Sequence, residues 1–286
     1  MANRVRFNVF DLSRQRTVAL VSSIFLFGFG IWFLNNILPY KDVWEGFYTE
    51  KSIGTFFCEK TDMSAIVRQP FNTFSNFIYW ISGFAIVRRG WKDQQKRNRY
   101  NIISANPFYS IVFGGILIYT FVASTFFHAS LIHFAKRLDF SAVYSLSLFP
   151  LMYFTHRVWL LSIGHPSNTK HSLSTRTLVI AFTLIYLALT LFVPDKMADY
   201  LVLAIILTTI TFAVIVEMKD RGKTNHRYLG IAVCCILIAV MCFDFDVHKV
   251  FCHPDSAVQP HSLWHLFSGI SSFYFYMYIR SERHKI

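Results

Sequence analysis

Eight apolar segments of roughly 17–25 residues dominate the sequence, and each is long enough for a helix to cross a hydrocarbon core about 30 Å thick. Hydrophobic residues make up 54% of the chain and charged residues only 15%, too few to cover a water-soluble protein of this size. The segments lack the alternation with a period of two that strands show. The predicted spans are Thr17–Leu38, Phe71–Val87, Phe108–Leu131, Asp139–Leu161, Thr177–Val193, Tyr200–Val216, Tyr228–Phe243 and His261–Ile279.

Basic residues predict the orientation of these spans, because Lys and Arg are enriched in cytoplasmic loops. Most of the 28 Lys and Arg residues fall on one side: in the N-terminal segment, the 88–100 loop, the connections after the fourth and sixth spans, and the tail. Both termini are therefore predicted to be cytoplasmic. Because the net charge of +12 is explained by topology, we expect no nucleic-acid partner.

The first span is preceded by an Arg-rich segment and has no small-residue cleavage site, which predicts a retained signal anchor. The predicted organisation is a cytoplasmic N-terminus with this anchor helix over 1–40, a non-cytoplasmic loop over 41–70, a seven-helix catalytic membrane domain over 71–281 and a cytoplasmic tail over 282–286. No glycine-rich dinucleotide or phosphate loop occurs, so no nucleotide cofactor is expected.

Two of the five cysteines lie in loops that the topology places on the non-cytoplasmic side. Non-cytoplasmic compartments are oxidising, which makes Cys58 and Cys252 a candidate disulfide pair whose bridging the sequence leaves open. The other three cysteines fall inside the seventh span, where small apolar packing residues are expected.

Five polar residues are predicted to share one depth near the non-cytoplasmic face, where polar side chains are costly and commonly functional. Ser124 and His128 are four residues apart near the end of the third span, and therefore lie on one helix face. His261 and His265 have the same spacing at the start of the eighth span. Asp139 opens the fourth span on the same side.

Each of these residues has a structural explanation when taken alone. His128 could be an interhelical hydrogen-bond partner, Asp139 an N-cap and Ser124 a hydroxyl bonded to its own helix. Taken together, however, three imidazoles with an open fourth position form the ligand set of a hydrolytic zinc site. Neutral imidazole also suits Zn²⁺ in a medium that disfavours extra charge.

A zinc site predicts roles for the remaining two residues. Bound Zn²⁺ would lower the pKa of its water to about 7. Asp139 would accept the proton of that water and later deliver it to the leaving group, and Ser124 would donate to the oxyanion. The predicted reaction is hydrolysis of an amide or ester bond in a lipid that reaches the site laterally from the membrane.

The serine, histidine and aspartate spacing and the HxxxH pair resemble the signature of the CREST superfamily of seven-span, metal-dependent membrane hydrolases. The residues that carry the resemblance are Ser124, His128, Asp139, His261 and His265. The resemblance implies an all-α integral membrane protein: a seven-transmembrane-helix CREST-like bundle, here with one additional N-terminal transmembrane helix, for eight spans in all.

A second stretch narrows the resemblance to the alkaline ceramidases. Cys58-Glu59 followed by Phe71-Asn72-Thr73-Phe74-Ser75-Asn76 is similar to the start of that family, and the likeness covers roughly residues 56–280. It implies zinc on the three histidines, Asp139 near the zinc water, Ser124 at the oxyanion, and cleavage of ceramide to a sphingoid base and a fatty acid.

The chain departs from this family at the residues that bind calcium. Ceramidases usually carry an Asp-Trp-Cys-Glu-x-Asn stretch and a further glutamate shortly before an Asn-Thr pair, whereas this chain has Phe56 at the start of the stretch and Gln69 before Asn72. Only Glu59 remains as a carboxylate, and hard cations need several oxygen ligands, so we predict that the calcium site is absent or degraded. Phe140 also replaces a common glutamate, which leaves the lipid open.

The other polar residues are expected to be structural. Asn72 and Asn76 are predicted to cap or support a helix, and an acidic and histidine cluster before the eighth span is predicted to be a solvated loop; its members are Asp244, Asp246, His248, His253 and Asp255. His133 is assigned to the loop between the third and fourth spans, and His156 to the opposite end of the bundle.

The leading hypothesis is therefore a ceramidase-like hydrolase that acts on a linear amide C–N bond of a membrane lipid. Its active site is predicted near the non-cytoplasmic face of a bacterial inner membrane or an ER or Golgi membrane. The alternatives are a CREST-type ester hydrolase that remodels phospholipids or GPI lipids, and a non-catalytic, metal-containing receptor of the same superfamily. A di-iron desaturase is disfavoured because additional HxxHH-type boxes are missing.

Overall fold

The computed structural model describes residues 22–23, 26, 28–30, 43–47, 57–95, 101–163, 172–194, 197–220 and 224–282. Within these ranges the chain is helical and forms no strand. Most of the predicted anchor span, Thr17–Leu38, and the tail over 283–286 lie outside the described residues, so the additional N-terminal helix stays a prediction.

The helices that we number in chain order are α1 (Pro70–Ser75), α2 (Phe77–Gln95), α3 (Ile102–Ala105), α4 (Phe108–Ser130), α5 (His133–Ser162), α6 (Ser172–Phe192), α7 (Ala198–Lys219), α8 (His226–Val247) and α9 (Pro260–Ser281). Three stretches among the described residues are long and apolar enough to cross a membrane: Phe108–Ser130, Tyr200–Lys219 and His226–Val247. Thr177–Phe192 is a shorter apolar helix. These helices associate the protein with a membrane.

Two predicted helix boundaries are wrong. The second span is not continuous, because the short helix α1 ends before Asn76 and α2 then runs on to Gln95. The fourth span begins not at Asp139 but at His133, two turns earlier, after a left-handed residue at Leu131 with φ 53°. The predicted spans leave Lys136 and Arg137 in a loop, whereas the structure places both in the first turns of α5. Long charged side chains are tolerated at a helix end near the membrane interface, because their charged groups reach water.

The starting point of α5 removes one structural explanation for its aspartate. The N-cap position is Ile132, whose side chain makes no capping hydrogen bond. Asp139 lies in the second turn of the helix and is not an N-cap, so its carboxylate is not occupied by the free amides of a helix start.

Glycines bring the helices that carry the histidines close to a common neighbour, α2. A Cβ added to Gly83 of α2 would lie 2.7 Å from the carbonyl oxygen of Gly114 of α4, and a Cβ on Gly114 would lie 2.7 Å from the carbonyl oxygen of Gly83. On α9, a Cβ added to Gly269 would lie 2.6 Å from the Ile78 side chain of α2. Small residues at helix crossings allow this close approach. As a result, the C-terminal end of α4 lies beside the N-terminal end of α9.

The opposite end of the bundle contains buried ion pairs, and we call it the arginine end. Arg157 of α5 is fully buried and pairs with Asp220 and with Glu282, the latter at 2.7 Å. Arg280 of α9 donates Nη2 to Oδ1 of Asp93 at 2.8 Å. These pairs link the ends of α2, α5, α7 and α9, and they satisfy charges that would otherwise be costly to bury.

Candidate metal centre

Three histidines meet at the end of the bundle opposite to the arginine end, and we call this the histidine end. His128 lies in the last turn of α4, while His261 and His265 occupy successive turns at the start of α9. All three are buried, and one ring nitrogen from each lies within 4.8 Å of the others. Their ring centroids are 4.7–5.0 Å apart. The spacing is that of three ligands around one ion.

Hydrogen bonds at Nδ1 orient two of the rings. His128 donates Nδ1–H to the Gln69 side-chain oxygen at 2.9 Å. His265 directs Nδ1 to the Asn72 carbonyl oxygen at 3.1 Å and to the Ser75 hydroxyl at 2.8 Å. Because a carbonyl oxygen only accepts, Nδ1 carries the proton in both rings and Nε2 keeps its lone pair for a metal.

The third ring, His261, faces a carboxylate. Its Nδ1 lies 3.6 Å from Oδ2 of Asp246, a fully buried residue in the last turn of α8. All three imidazoles therefore have an oxygen on the Nδ1 side.

Ser124 and Asp139 complete the group that the sequence singled out. Ser124 is buried one turn before His128, and its hydroxyl lies 3.5 Å from Nε2 of His265. The same hydroxyl lies close to the half-buried Asp139 carboxylate. A hydroxyl donor and a carboxylate thus lie beside the nitrogens that would hold a metal.

A comparison with models of protein families identifies the family of the chain. The model of the Ceramidase family matches residues 52–285, which is most of the chain. The chain belongs to the ceramidase family. No curated protein and no solved structure matches it significantly. Membership implies a hydrolase that acts on the amide bond of ceramide, a membrane lipid.

The residues of the histidine end fit a metal ion. Nε2 of His128 is buried and has no hydrogen-bond partner among the described residues. A buried imidazole nitrogen without a partner is costly, and a metal ligand bond removes that cost. Three neutral nitrogen donors in an apolar setting are compatible with Zn²⁺.

An aromatic side chain covers the histidines on the side of the loop that precedes α1. The Phe57 ring lies 4.9 Å from the ring centroid of His128 and 4.3 Å from that of His261. The next residue, Cys58, forms a disulfide with Cys252, which fixes this loop to the loop between α8 and α9. Phe57 therefore limits the access of water to the candidate centre from this side.

Glu59 and Gln69, which the sequence resemblance aligns with calcium ligands, have other partners in this chain. The two carboxylate oxygens of Glu59 accept the backbone N–H groups of Phe71 and Asn72 at 2.7 and 2.8 Å. Burial raises the pKa of the Glu59 carboxyl to about 7. Gln69 is directed to His128. That the calcium site is absent or degraded stays a prediction.

Sequence reasoning missed several of the residues that surround the histidines. Gln69 and Ser75 were not predicted to contact the histidines, and the assignment of Asp246 to a solvated loop is wrong, because α8 continues through it. One signal was present: Ala239, Cys242 and Asp246 are buried at helical spacing and so share a face. No such spacing reveals Gln69, because its contact spans 59 residues of sequence.

None of the other histidines that the structure describes joins the centre. His133 is the exposed first residue of α5, and His248 and His253 are also exposed. His156 is buried, but it lies near the arginine end, where its Nδ1 is hydrogen-bonded to the Tyr109 hydroxyl.

Proposed function

We propose that this chain is a zinc-dependent intramembrane amidohydrolase that cleaves ceramide, or a related N-acyl lipid, into a sphingoid base and a fatty acid. The observation that carries the proposal is the buried Nε2 of His128, which has no partner among the described residues and lies in a cluster of three buried histidines. Ceramidase family membership supports the substrate class.

His128, His261 and His265 are the proposed zinc ligands, and three protein ligands leave a coordination position open for chemistry. Zinc, when bound, lowers the pKa of a coordinated water to about 7 and polarises a carbonyl oxygen. The Nδ1 hydrogen bonds of His128 and His265 orient those two rings with Nε2 directed to the proposed ion position.

Asp139 and Ser124 are the proposed catalytic residues. Asp139 accepts the proton of the attacking water and returns it to the nitrogen of the departing amine, so that the C–N bond breaks without a charged leaving group. Ser124 donates its hydroxyl hydrogen to the oxygen that becomes negative when the amide carbonyl is attacked. The proximity of the two side chains supports this division of roles.

The architecture that we propose is a seven-helix membrane domain over 71–281 with one further helix before it, and with both termini in the cytoplasm. The distribution of Lys and Arg supports this orientation, which turns the histidine end to the non-cytoplasmic side. The disulfide between Cys58 and Cys252 agrees with it, because it lies at the histidine end and such bonds persist in oxidising compartments.

We further propose that the chain works without the calcium ion of its family. The backbone N–H groups of Phe71 and Asn72 donate to both oxygens of Glu59. These N–H groups lie at the start of α1, and their partial positive charge stabilises the carboxylate as a cation would. Activity in a calcium-chelating buffer that spares zinc is the expected result.

Metal analysis combined with product identification tests the proposal. The detergent-purified chain is expected to contain about one zinc ion per molecule and to release a fatty acid from ceramide. An ester analogue with the same chains and a phospholipid serve as competing substrates. A protein that retains zinc but hydrolyses the ester alone would be an ester hydrolase, and one that retains zinc without turnover would fit a receptor. Protein without zinc that still cleaves ceramide would contradict the metal role.

A further inference from the structure

Asp246 has an unusual environment for a carboxylate. It is fully buried at the end of α8, and its Oδ1 accepts the backbone N–H of Cys58 at 2.8 Å. Its other oxygen, Oδ2, lies 3.6 Å from Nδ1 of His261, and neither of these two atoms has a hydrogen-bond partner within bonding distance among the described residues. A buried carboxylate oxygen is expensive to leave unpaired, so the arrangement needs an explanation.

A histidine that binds a metal through Nε2 becomes a stronger hydrogen-bond donor at Nδ1, and carboxylates are frequent acceptors for such histidines. His261 and Asp246 are placed for this interaction, just beyond hydrogen-bond length. The other two rings face neutral oxygens from Gln69 and Asn72. The carboxylate therefore gives His261 the most basic partner of the three, together with a negative charge that offsets part of the charge of a divalent ion.

The position of Asp246 depends on a covalent clasp, which we define as residues 58–60 together with 252–255. The disulfide joins Cys58 to Cys252 with Cα atoms 5.5 Å apart. Beside it, the backbone N–H of Lys60 donates to the Pro254 carbonyl at 3.1 Å, and the Lys60 ammonium pairs with Asp255 at 3.2 Å. The clasp thus fixes the N–H of Cys58 relative to the loop that joins α8 to α9.

We propose that Asp246 is a positioning residue for the metal centre, and that the Cys58–Cys252 clasp holds its carboxylate against His261. The inference rests on the proposed zinc site and adds a route by which a bond on the protein's outer loops affects metal affinity. Breaking the disulfide frees the N–H donor of Cys58, so Asp246 loses the contact that fixes its orientation. Reduction of the clasp then weakens zinc binding without touching a ligand.

The primary test is zinc affinity, measured on the purified full chain by competition with a chelator of known affinity. Asp246→Asn keeps the size of the side chain but removes its charge, and it is expected to bind zinc about 10–100-fold more weakly. Asp244→Asn is the matched control, because Asp244 lies on the same helix with a largely exposed side chain, and it should bind zinc as the native chain does. Asp246→Glu, which restores a carboxylate, should recover part of the loss.

A readout that a purely structural role would not move comes from the metal-free protein. The melting temperatures of the chelator-stripped native chain and of the Asp246→Asn variant should agree, whereas the stabilisation on adding zinc should be smaller in the variant. If Asp246→Asn does not fold, the double variant Cys58→Ser/Cys252→Ser tests the same idea with Asp246 intact, and weaker zinc binding is again expected.

The two changes should not add. Reduction of the disulfide is expected to weaken zinc binding in the native chain and to leave the already weakened Asp246→Asn variant nearly unchanged, because both act on one contact. Native protein that binds zinc tightly, together with Asp246→Asn protein that binds it equally well, would overturn this inference and leave the proposed function standing. Native protein that binds no zinc would instead contradict the proposed function.

Discussion

The two ends of the helix bundle handle buried polar groups in opposite ways. At the arginine end, Arg157 and Arg280 are paired with carboxylates of other helices, so the charges neutralise each other within the chain. At the histidine end, nitrogens of His128 and His261 and an oxygen of Asp246 are buried without hydrogen-bond partners among the described residues. Nε of Arg280 at the arginine end makes no hydrogen bond within the same residues either, but its guanidinium is already paired with Asp93. The same helices α5 and α9 contribute to both ends.

The difference separates a structural network from a binding site. A paired network contributes to the fold even though its ions lose their hydration, whereas buried polar atoms without partners cost stability until a bound ion satisfies some of them. We therefore expect substitutions at the histidine end to remove metal and activity while the fold persists, and substitutions at the arginine end to act on folding alone.

The largest expected effect is that of His128→Ala. Without this ligand the zinc site has two imidazoles, and both bound zinc and ceramide hydrolysis should fall below detection while the protein still inserts and folds. The control is His133→Ala, which removes an exposed histidine from the same end of the bundle. Full activity in the His128→Ala protein would show that the cluster is not the metal site.

Asp139→Asn should have the next largest effect. Because the amide cannot accept a proton from the attacking water, kcat is expected to fall about 10²–10⁴-fold. Zinc content, measured by elemental analysis, should stay at the native level. Loss of zinc together with activity would instead place Asp139 among the ligands.

Ser124→Ala is expected to lower kcat about 10²–10³-fold, since one donor to the developing oxyanion is lost. The KM for ceramide should change little, which a full substrate titration would reveal. Ser130→Ala removes another hydroxyl near the end of α4, one that is bonded to the Phe126 carbonyl of its own helix, and serves as the control. An unchanged kcat would exclude the oxyanion role.

At the arginine end, Arg157→Met should leave zinc binding intact and reduce stability. Removal of the arginine leaves the carboxylates of Asp220 and Glu282 without their arginine partner. Breaking a buried ion pair in this way lowers the free energy of unfolding by about 3–5 kcal/mol. Unfolding of the detergent-solubilised protein would measure the loss. If zinc affinity fell as much as stability, the two ends would not be independent.

The smallest expected effect concerns pH. Burial raises the pKa of Glu59 from an ordinary value of 4.5 to about 7, so the folded chain binds this proton more tightly than the unfolded chain does. Glu59 therefore makes stability fall as pH rises from 4.5 to about 7, and the slope ends above that pH. Glu59→Gln should flatten this part of the stability profile, and an unchanged slope would assign the dependence to other groups.

The sequence predicted the parts of the site that follow from local spacing. Ser124 and His128, like His261 and His265, are four residues apart on one helix, and Pro107 and Pro260 mark the starts of the two helices. The spacing alone therefore predicted that the members of each pair share a helix face. The membrane character followed from the apolar segments in the same way.

Contacts over long sequence distances could not be predicted. The hydrogen bond from Cys58 to Asp246 spans 188 residues, and no periodicity encodes it. Hydropathy also misplaced two helix ends at the membrane edge: α5 begins at His133 and not at Asp139, and α8 continues past Phe243 to Val247. Both errors fell on residues that position the site.

The disulfide that links residues 58 and 252 also sets an order of events during synthesis. His128 is synthesised long before His261 and His265. Because Cys58 and Cys252 are 194 positions apart, almost the whole described bundle must be synthesised before the disulfide can form. Chains emerge from the N-terminus at about 5–20 residues per second, and α9 is the last described helix to be made. A nascent chain therefore holds only one of the three proposed ligands for many seconds, and the proposed metal centre can assemble only after α9 has been made.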